Sequence, residues 1–285
     1  MANLDYPAAE LERQFNPRVA VPDHEATLTE RAALSAAVRE RLRPALDVRY
    51  GDGPKETLDI FPAAAAGAPV HVYFHGGYWR AGDNADVSFV AEPLVRAGVT
   101  AVLPNYDLCP DVTLDEIVAE ARRAIAWCQQ NISGHGGDPA RITISGSSAG
   151  GHLAAMALAH DWEADGLPAD TIKGAVLITG VYDAEPACHI SLNDELRLEP
   201  ETARRLSPIH NPPRRPLPLV AAVGGAETEE WVAMSRAYVQ ACEHAGIACR
   251  HLEVPGEDHF SMTALLGDAE GPLVAAILGQ LGLGD

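Results

Sequence analysis

The sequence predicts an α/β domain with a mostly parallel central sheet and helices on both faces. After residue 45, short continuous apolar runs such as Val70–Phe74 alternate with longer segments of helical periodicity. Strands that are apolar along their whole length are buried on both faces, which is typical of parallel sheets joined by helical crossovers. One such sheet accommodates 285 residues, and no internal repeat divides them, so residues 1–285 are predicted to form a single domain.

The individual elements follow from periodicity and from turn residues. Residues 1–45 are predicted to form an N-terminal helical arm, because their apolar residues recur at helical spacing between prolines. The proline-rich segment 181–216 is predicted to be a short cap insertion. A hairpin is predicted for Leu46–Tyr50 and Glu56–Phe61, with further strands at Val70–Phe74, Thr100–Pro104, Arg141–Ser145, Gly174–Thr179, Pro218–Val223 and Ala248–Val254, and helices at Asp86–Ala97, Leu114–Asn131, Ser148–His160, Glu229–His244 and Ser261–Leu281.

The charge balance makes several partners unfavourable. The formal net charge is -19, with 40 acidic residues against 21 lysines and arginines. Such a surface repels phosphate backbones and anionic lipid, so neither nucleic acid nor a membrane is expected as a partner. The sequence is compatible with a homodimer.

Cysteine usage and the N-terminal sequence point to a cytoplasmic protein without a metal or cofactor. The five cysteines are odd in number and none has CxxC spacing, so neither a disulfide framework nor a zinc site is indicated. The first residues lack a basic segment followed by an apolar run, and no apolar stretch reaches the ~18 residues of a membrane span.

A G-x-S-x-G pattern at positions 146–150 centres on Ser148. A β-rich run, 141–145, precedes it and helix-forming residues follow it, which is the strand–turn–helix context of a nucleophile elbow. The turn exposes the serine hydroxyl, and the glycines leave room for neighbouring backbone. Ser148 is therefore the predicted nucleophile. Ser145 and Ser147 are weaker candidates because neither lies between the spaced glycines.

A His-Gly-Gly sequence follows the predicted strand Val70–Phe74. Successive glycines free the backbone to direct N–H groups at a ligand oxygen. Gly76 and Gly77, together with the N–H of Ala149, are predicted to form an oxyanion hole. His75 is interpreted as a hydrogen-bonding residue that holds this loop and not as a catalytic base.

The motifs His-Gly-Gly-Tyr-Trp at 75–79 and Gly-Ser-Ser-Ala-Gly-Gly-His at 146–152 resemble the arylformamidase (kynurenine formamidase) branch of the α/β-hydrolases. The resemblance extends over residues 45–281 and is close to the hormone-sensitive-lipase-like carboxylesterases. Those relatives usually carry a third glycine where this chain has Tyr78, which favours the formamidase branch. The resemblance implies an α/β-hydrolase fold with a catalytic triad in the order serine, acid, histidine.

The implied order places the base and the acid late in the chain. His259 follows a predicted strand and precedes the last helix, which is the position expected for the general base. Glu227 aligns with the acid of the family, where aspartate is more usual, and glutamate is an accepted substitute. Asp258 and Glu229 remain alternatives for the acid.

The substrate pocket is predicted to be lined by aromatic and aliphatic side chains near these loops. Residues 193–195 are candidates to orient a substrate amine or amide. The predicted substrate-binding residues are Tyr78, Trp79, Tyr182 and Phe260, joined by the cap leucines Leu192, Leu196 and Leu198.

The predicted function is a metal-independent serine hydrolase that cleaves short-acyl esters or N-formyl arylamides through an acyl-enzyme. A general carboxylesterase or thioesterase without formamidase activity is the alternative within the enzymes. A ligand-binding protein that retains the fold without turnover is a more distant alternative, since such proteins usually lack the serine or the histidine, and both are present here.

Overall fold

The computed structural model describes residues 3–283; residues 1–2 of the predicted arm and residues 284–285 lie outside the described range. Within that range the strands form one eight-stranded sheet in the order β1-β2-β4-β3-β5-β6-β7-β8. The pairs β1/β2 and β2/β4 are antiparallel and all others are parallel. The strands are β1 (Ala45–Arg49), β2 (Thr57–Phe61), β3 (Ala68–Phe74), β4 (Thr100–Pro104), β5 (Gly137–Ser147), β6 (Ala175–Ile178), β7 (Leu219–Gly224) and β8 (Arg250–Val254).

The helices connect these strands and also form the N-terminal arm and the cap segment. The α-helices are α1 (Ala8–Phe15), α2 (Pro17–Ala20), α3 (His24–Leu42), α4 (Ala91–Arg96), α5 (Leu114–Asn131), α6 (Ala149–Leu158), α7 (Asn193–Leu196), α8 (Pro200–Arg205), α9 (Glu229–His244), α10 (His259–Ala264) and α11 (Pro272–Gln280). Short 3-10 helices lie at Asn84–Val90, Ile132–His135, Trp162–Asp165, Glu185–His189, Pro208–His210 and Leu265–Gly267.

Two apolar layers enclose the sheet. Every residue of β3, β4, β6 and β7 is buried, as expected for strands covered on both faces. Alternate side chains of β3 enter opposite layers: Val72 joins the layer with Leu153 of α6, and Tyr73 joins the layer with Ile277 of α11. The predicted α/β fold with a mostly parallel sheet is confirmed.

Three predicted boundaries were wrong. The predicted helix 261–281 is two helices, because Pro272 has no N–H to continue a helix and instead begins α11. The predicted helix at 86–97 begins as the 3-10 helix Asn84–Val90, and β5 begins at Gly137, earlier than predicted. None of these differences changes the topology.

No single helix among residues 3–283 combines the length and apolar character of a membrane span. The segments 259–267 and 272–280 satisfy length and composition when taken together, but they are bent by 62° at their break.

Candidate active site

Ser148 occupies a single-residue turn between β5 and α6. Its backbone is in the left-handed half of conformational space, with φ 57° and ψ −119°, which is costly for a residue with a side chain. The Ser148 N–H donates to the Ile178 carbonyl at 2.9 Å, and this bond fixes the turn against β6. A side chain at Gly146 would overlap the Gly150 carbonyl, and one at Gly150 would overlap the Phe74 carbonyl. Both glycines of the motif are therefore required by close backbone approach.

His259 and Glu227 form a buried pair. The Nδ1 of His259 lies 2.7 Å from Oε2 of Glu227, and their side chains are 9% and 2% exposed. The other carboxylate oxygen, Oε1, accepts the Gly224 N–H at 2.9 Å, so the end of β7 orients the acid. A carboxylate at Nδ1 holds the proton there and leaves Nε2 free to accept one, as a general base requires. Ser148 and His259 line the same cavity.

The two alternative acids have other positions. Asp258 accepts the N–H groups of Phe260 and Ser261 at 2.8 and 2.9 Å and so caps the N-terminus of α10. Glu229 is the first residue of α9, where the helix dipole favours a carboxylate. The contact with His259 Nδ1 favours Glu227.

The predicted oxyanion loop lies directly against the serine. A Cβ at Gly76 would be 3.2 Å from the Ser148 Cβ, which shows how closely the loop approaches the nucleophile. Gly77, Tyr78 and Trp79 have φ angles of 128°, 52° and 57°, a run of left-handed residues that cannot be relaxed independently. Ala149 begins α6, where the first N–H groups have no intrahelical partner. Gly76 and Gly77 line the same cavity as Ser148, and Ala149 follows the serine directly in the chain.

His75 contacts this loop and its neighbours through its ring. The ring stacks on that of Tyr106 with 4.2 Å between the ring centres. Its Nδ1 lies 2.8 Å from the Gly76 carbonyl oxygen and its Nε2 lies 3.1 Å from Asn105 Oδ1. The Tyr106 hydroxyl donates to the His75 carbonyl at 2.7 Å. Burial lowers the pKa of His75. These contacts favour a role in holding the loop.

The site combines a serine at a strained elbow with a buried histidine–carboxylate pair and a glycine loop, all at the ends of parallel strands. This arrangement is typical of one class of hydrolytic enzymes. Residues 71–263 match the family model of the alpha/beta hydrolase fold. The chain belongs to the α/β-hydrolase family. Within it, the kynurenine formamidases of Salmo salar and Danio rerio are each 33% identical to this chain, with 96% of each chain covered. An esterase of Mycobacterium tuberculosis is 32% identical over 76% of this chain and 58% of its own.

Solved structures of α/β-hydrolases agree with this assignment. A protein from a Silicibacter species, provisionally described as a thioesterase, superposes with a TM-score of 0.82 at 28% identity over 94% of this chain and 98% of its own. A thermophilic esterase from Thermogutta terrifontis superposes with a TM-score of 0.61 at 26% identity, over 76% of this chain and 82% of its own. Structures of that esterase with propionate and with butyrate bound also match this chain. The predicted class is confirmed: this α/β-hydrolase is a serine hydrolase of the arylformamidase and carboxylesterase type.

A cavity of about 400 Å³ opens above Ser148 in this α/β-hydrolase. That volume suits a small organic substrate. Of the predicted substrate-binding residues, Tyr78 and Phe260 line it, and so does the cap residue Leu192. The predicted catalytic residues Ser148 and His259 and the loop residues Gly76 and Gly77 also line it, whereas two further parts of the wall were not predicted. The arm supplies Asn16, Pro17, Arg18, Leu28, Thr29, Arg31 and Ala32, and the segment after the oxyanion loop supplies Arg80, Gly82, Asp83, Asp86 and Val87.

The prediction that Trp79 and Tyr182 line the pocket does not hold. Trp79 is completely buried and its ring packs edge-on against His152 at 4.8 Å, while Tyr182 stacks on Tyr238 at 4.3 Å. Burial of both rings in the core is favourable because it removes their large apolar surfaces from water. Leu196 and Leu198 are also buried outside the cavity wall.

Two of the cap residues 193–195 form hydrogen bonds to other residues of the protein. The Asn193 amide donates to the Leu198 carbonyl at 3.1 Å and accepts the Leu198 N–H at 2.8 Å. Glu195 accepts two hydrogen bonds from the guanidinium of Arg80. These contacts shape the cap and tie it to the loop after Trp79, which is at odds with the predicted role of Asn193 and Glu195 as substrate ligands.

The N-terminal arm is bound to the loops that carry the catalytic candidates. The Tyr78 hydroxyl donates to the Phe15 carbonyl at 3.2 Å, and the Thr228 hydroxyl donates to the Gln14 carbonyl at 2.7 Å. The ring of His24 stacks on Phe260 at 5.0 Å. Sequence periodicity predicted helices in the arm but did not predict that the arm packs against the catalytic loops, because these contacts join segments that are distant along the chain.

We expect deletion of residues 1–22 to lower both the melting temperature and kcat/KM. The deletion removes the cavity-wall residues Asn16, Pro17 and Arg18 and the hydrogen-bond partners of Tyr78 and Thr228. It also exposes the apolar surface against which Leu11 and Phe15 pack. Thermal unfolding and ester hydrolysis would be measured on the deletion and on Tyr78→Phe, which removes a single hydrogen bond worth ~1 kcal/mol. A truncated enzyme with wild-type activity would contradict a functional role for the arm.

Proposed function

We propose that this α/β-hydrolase cleaves short-acyl carboxylic esters and N-formyl arylamides through an acyl-enzyme on Ser148. The observation that carries the proposal is the buried Glu227–His259 pair, 2.7 Å apart, at the cavity in which the strained Ser148 lies. The likeness to kynurenine formamidases over nearly the whole chain supports the N-formyl arylamide as a substrate.

The proposed reaction uses each residue in one role. His259 Nε2 takes the proton of the Ser148 hydroxyl as its oxygen attacks the carbonyl carbon, and Glu227 stabilises the resulting imidazolium. The N–H groups of Gly76, Gly77 and Ala149 stabilise the oxyanion, each donor contributing ~3 kcal/mol. The imidazolium then protonates the leaving alcohol or arylamine. A water molecule, deprotonated by His259, releases the formate or short carboxylate.

The alternative of a general carboxylesterase or thioesterase is supported by the Silicibacter structure and by the esterase relatives. The two proposals share the same catalytic residues and differ in the leaving group. Efficient hydrolysis of phenyl esters without cleavage of N-formylkynurenine would reject the formamidase proposal and retain the esterase. Hydrolysis of both would support the formamidase.

We expect kcat/KM to fall as the acyl chain lengthens beyond about eight carbons. Tyr78 lies beside the proposed oxyanion hole and the arm closes part of the cavity, so little apolar space is left for an acyl tail. In a long apolar channel, each buried CH₂ would instead add ~0.8 kcal/mol. The measurement is kcat/KM for p-nitrophenyl acetate, butyrate, octanoate and palmitate. An optimum at palmitate would contradict a short-acyl site.

A further inference from the structure

Arg31 is a charged residue in the wall of the catalytic cavity that has no salt-bridge or hydrogen-bond partner among the described residues. It lies on α3 and lines the same cavity as Ser148 and Phe260. Among residues 3–283 its guanidinium makes no salt bridge within 4 Å, and its Nε is buried without a hydrogen-bond partner. Arg31 is only half-buried, but a buried guanidinium donor without an acceptor is energetically costly, so its presence at a ligand cavity requires a reason.

The other charged groups around the cavity do not neutralise Arg31. Arg80 is paired with Glu195, and Asp83 accepts hydrogen bonds from Asn105 and Lys55. Asp86 attracts Arg31 electrostatically but lies beyond salt-bridge distance, and its side chain is exposed. Arg18, also exposed, adds a second positive charge to the same wall.

The local environment holds the guanidinium in place without satisfying its hydrogen-bond donors. Its central carbon lies 5.6 Å from the centre of the buried Phe89 ring, a cation–π contact that fixes the side chain but accepts no hydrogen bond. Burial lowers the pKa of Arg31, because it disfavours the charged form of the guanidinium. An arginine presents its donors as a rigid planar fork that matches the two oxygens of a carboxylate.

We propose that Arg31 binds a carboxylate on the leaving group of the substrate and so makes this hydrolase selective for aryl amides and esters whose leaving group carries a carboxylate. The inference rests on the proposed function, because a short acyl group leaves the remainder of the cavity to the leaving group. With a net charge of -19, the protein as a whole repels anionic groups, so binding of a substrate carboxylate needs a local cation of this kind.

The test compares matched substrates that differ only in whether the leaving group carries a carboxylate or a primary amide. One pair is the acetate ester of para-hydroxyphenylpropanoate and its primary amide; the other is N-formylkynurenine and its primary amide. We expect Arg31→Gln to lower the carboxylate-to-amide ratio of kcat/KM by about 10- to 100-fold, the range for loss of a hydrogen-bonded charge. Arg31→Lys keeps the charge without the fork and should give an intermediate ratio.

Arg41→Gln is the control, because Arg41 lies on the same helix but is exposed and paired with Glu92 outside the cavity. Its ratio should equal that of the wild type. An unchanged ratio in Arg31→Gln, including an equal loss with the carboxylate and the amide substrate, would overturn the proposal. The ester pair keeps this test independent of the proposed formamidase activity, since it gives a result even if N-formylkynurenine is not cleaved.

Discussion

Replacing Ser148 with alanine is expected to lower kcat by about 10³- to 10⁶-fold while the protein remains folded. The substitution removes the attacking oxygen and leaves only substrate positioning and the backbone donors of the oxyanion loop. Because alanine retains Cβ at the same backbone angles, it introduces no new contact at the elbow. Ester hydrolysis, labelling by a fluorophosphonate and circular dichroism of the same preparation would be measured together.

Ser147→Ala is the matched control for the nucleophile. Ser147 is the last residue of β5, its hydroxyl is buried without a hydrogen-bond partner among the described residues, and it is next to Ser148 in sequence. We expect this variant to retain fluorophosphonate labelling and most of the turnover. An active Ser148→Ala together with an inactive Ser147→Ala would overturn the assignment of the nucleophile.

Replacing Glu227 with glutamine is expected to lower kcat by about 10⁴-fold. Oε1 of Glu227 accepts the Gly224 N–H, so the glutamine carbonyl is expected to remain there and its amide nitrogen to face His259. That nitrogen is a donor, and it selects the histidine tautomer whose proton is on Nε2. Such a histidine cannot accept the serine proton. The measurement is kcat with a phenyl ester, with thermal unfolding as a check on the fold.

Asp258→Asn serves as the control for the acid. Asparagine caps a helix as well as aspartate does, so α10 is preserved and only the charge is lost. We expect this variant to keep activity close to that of the wild type. A severely impaired Asp258→Asn beside an active Glu227→Gln would show that the acid is misassigned.

Part of the site was predictable from sequence because its residues form short motifs with a fixed spacing. The glycines around Ser148 mark an elbow, since only glycine tolerates the backbone approach that the structure shows at Gly146 and Gly150. The acid was harder to assign. Glu227, Glu229 and Asp258 are all placed near strand ends by the sequence, and only the fold shows which carboxylate reaches His259.

The walls of the cavity could not be predicted, because they depend on contacts between distant segments. Trp79 and Tyr182 are adjacent in sequence to proposed catalytic loops, yet burial in the core is energetically favourable for rings of this size. Arg31 lies on a helix whose periodicity predicts only that it is helical. Its position in the cavity is determined by the packing of α3 against the 3-10 helix at Asn84–Val90 and against α10.

The sequence by itself determined the α/β class, the order of the strands from β3 to β8 along the chain and the candidate nucleophile, because periodicity and glycine spacing are local properties. The candidate base followed from the triad order that the family resemblance implies. Only the tertiary structure decided which carboxylate meets His259, that the N-terminal arm closes the cavity, and that an unpaired arginine lies in its wall. These features depend on which side chains meet across 30 or more residues of chain, as Glu227 and His259 do across 32. Such contacts are set by the packing of the whole core, which no local pattern encodes.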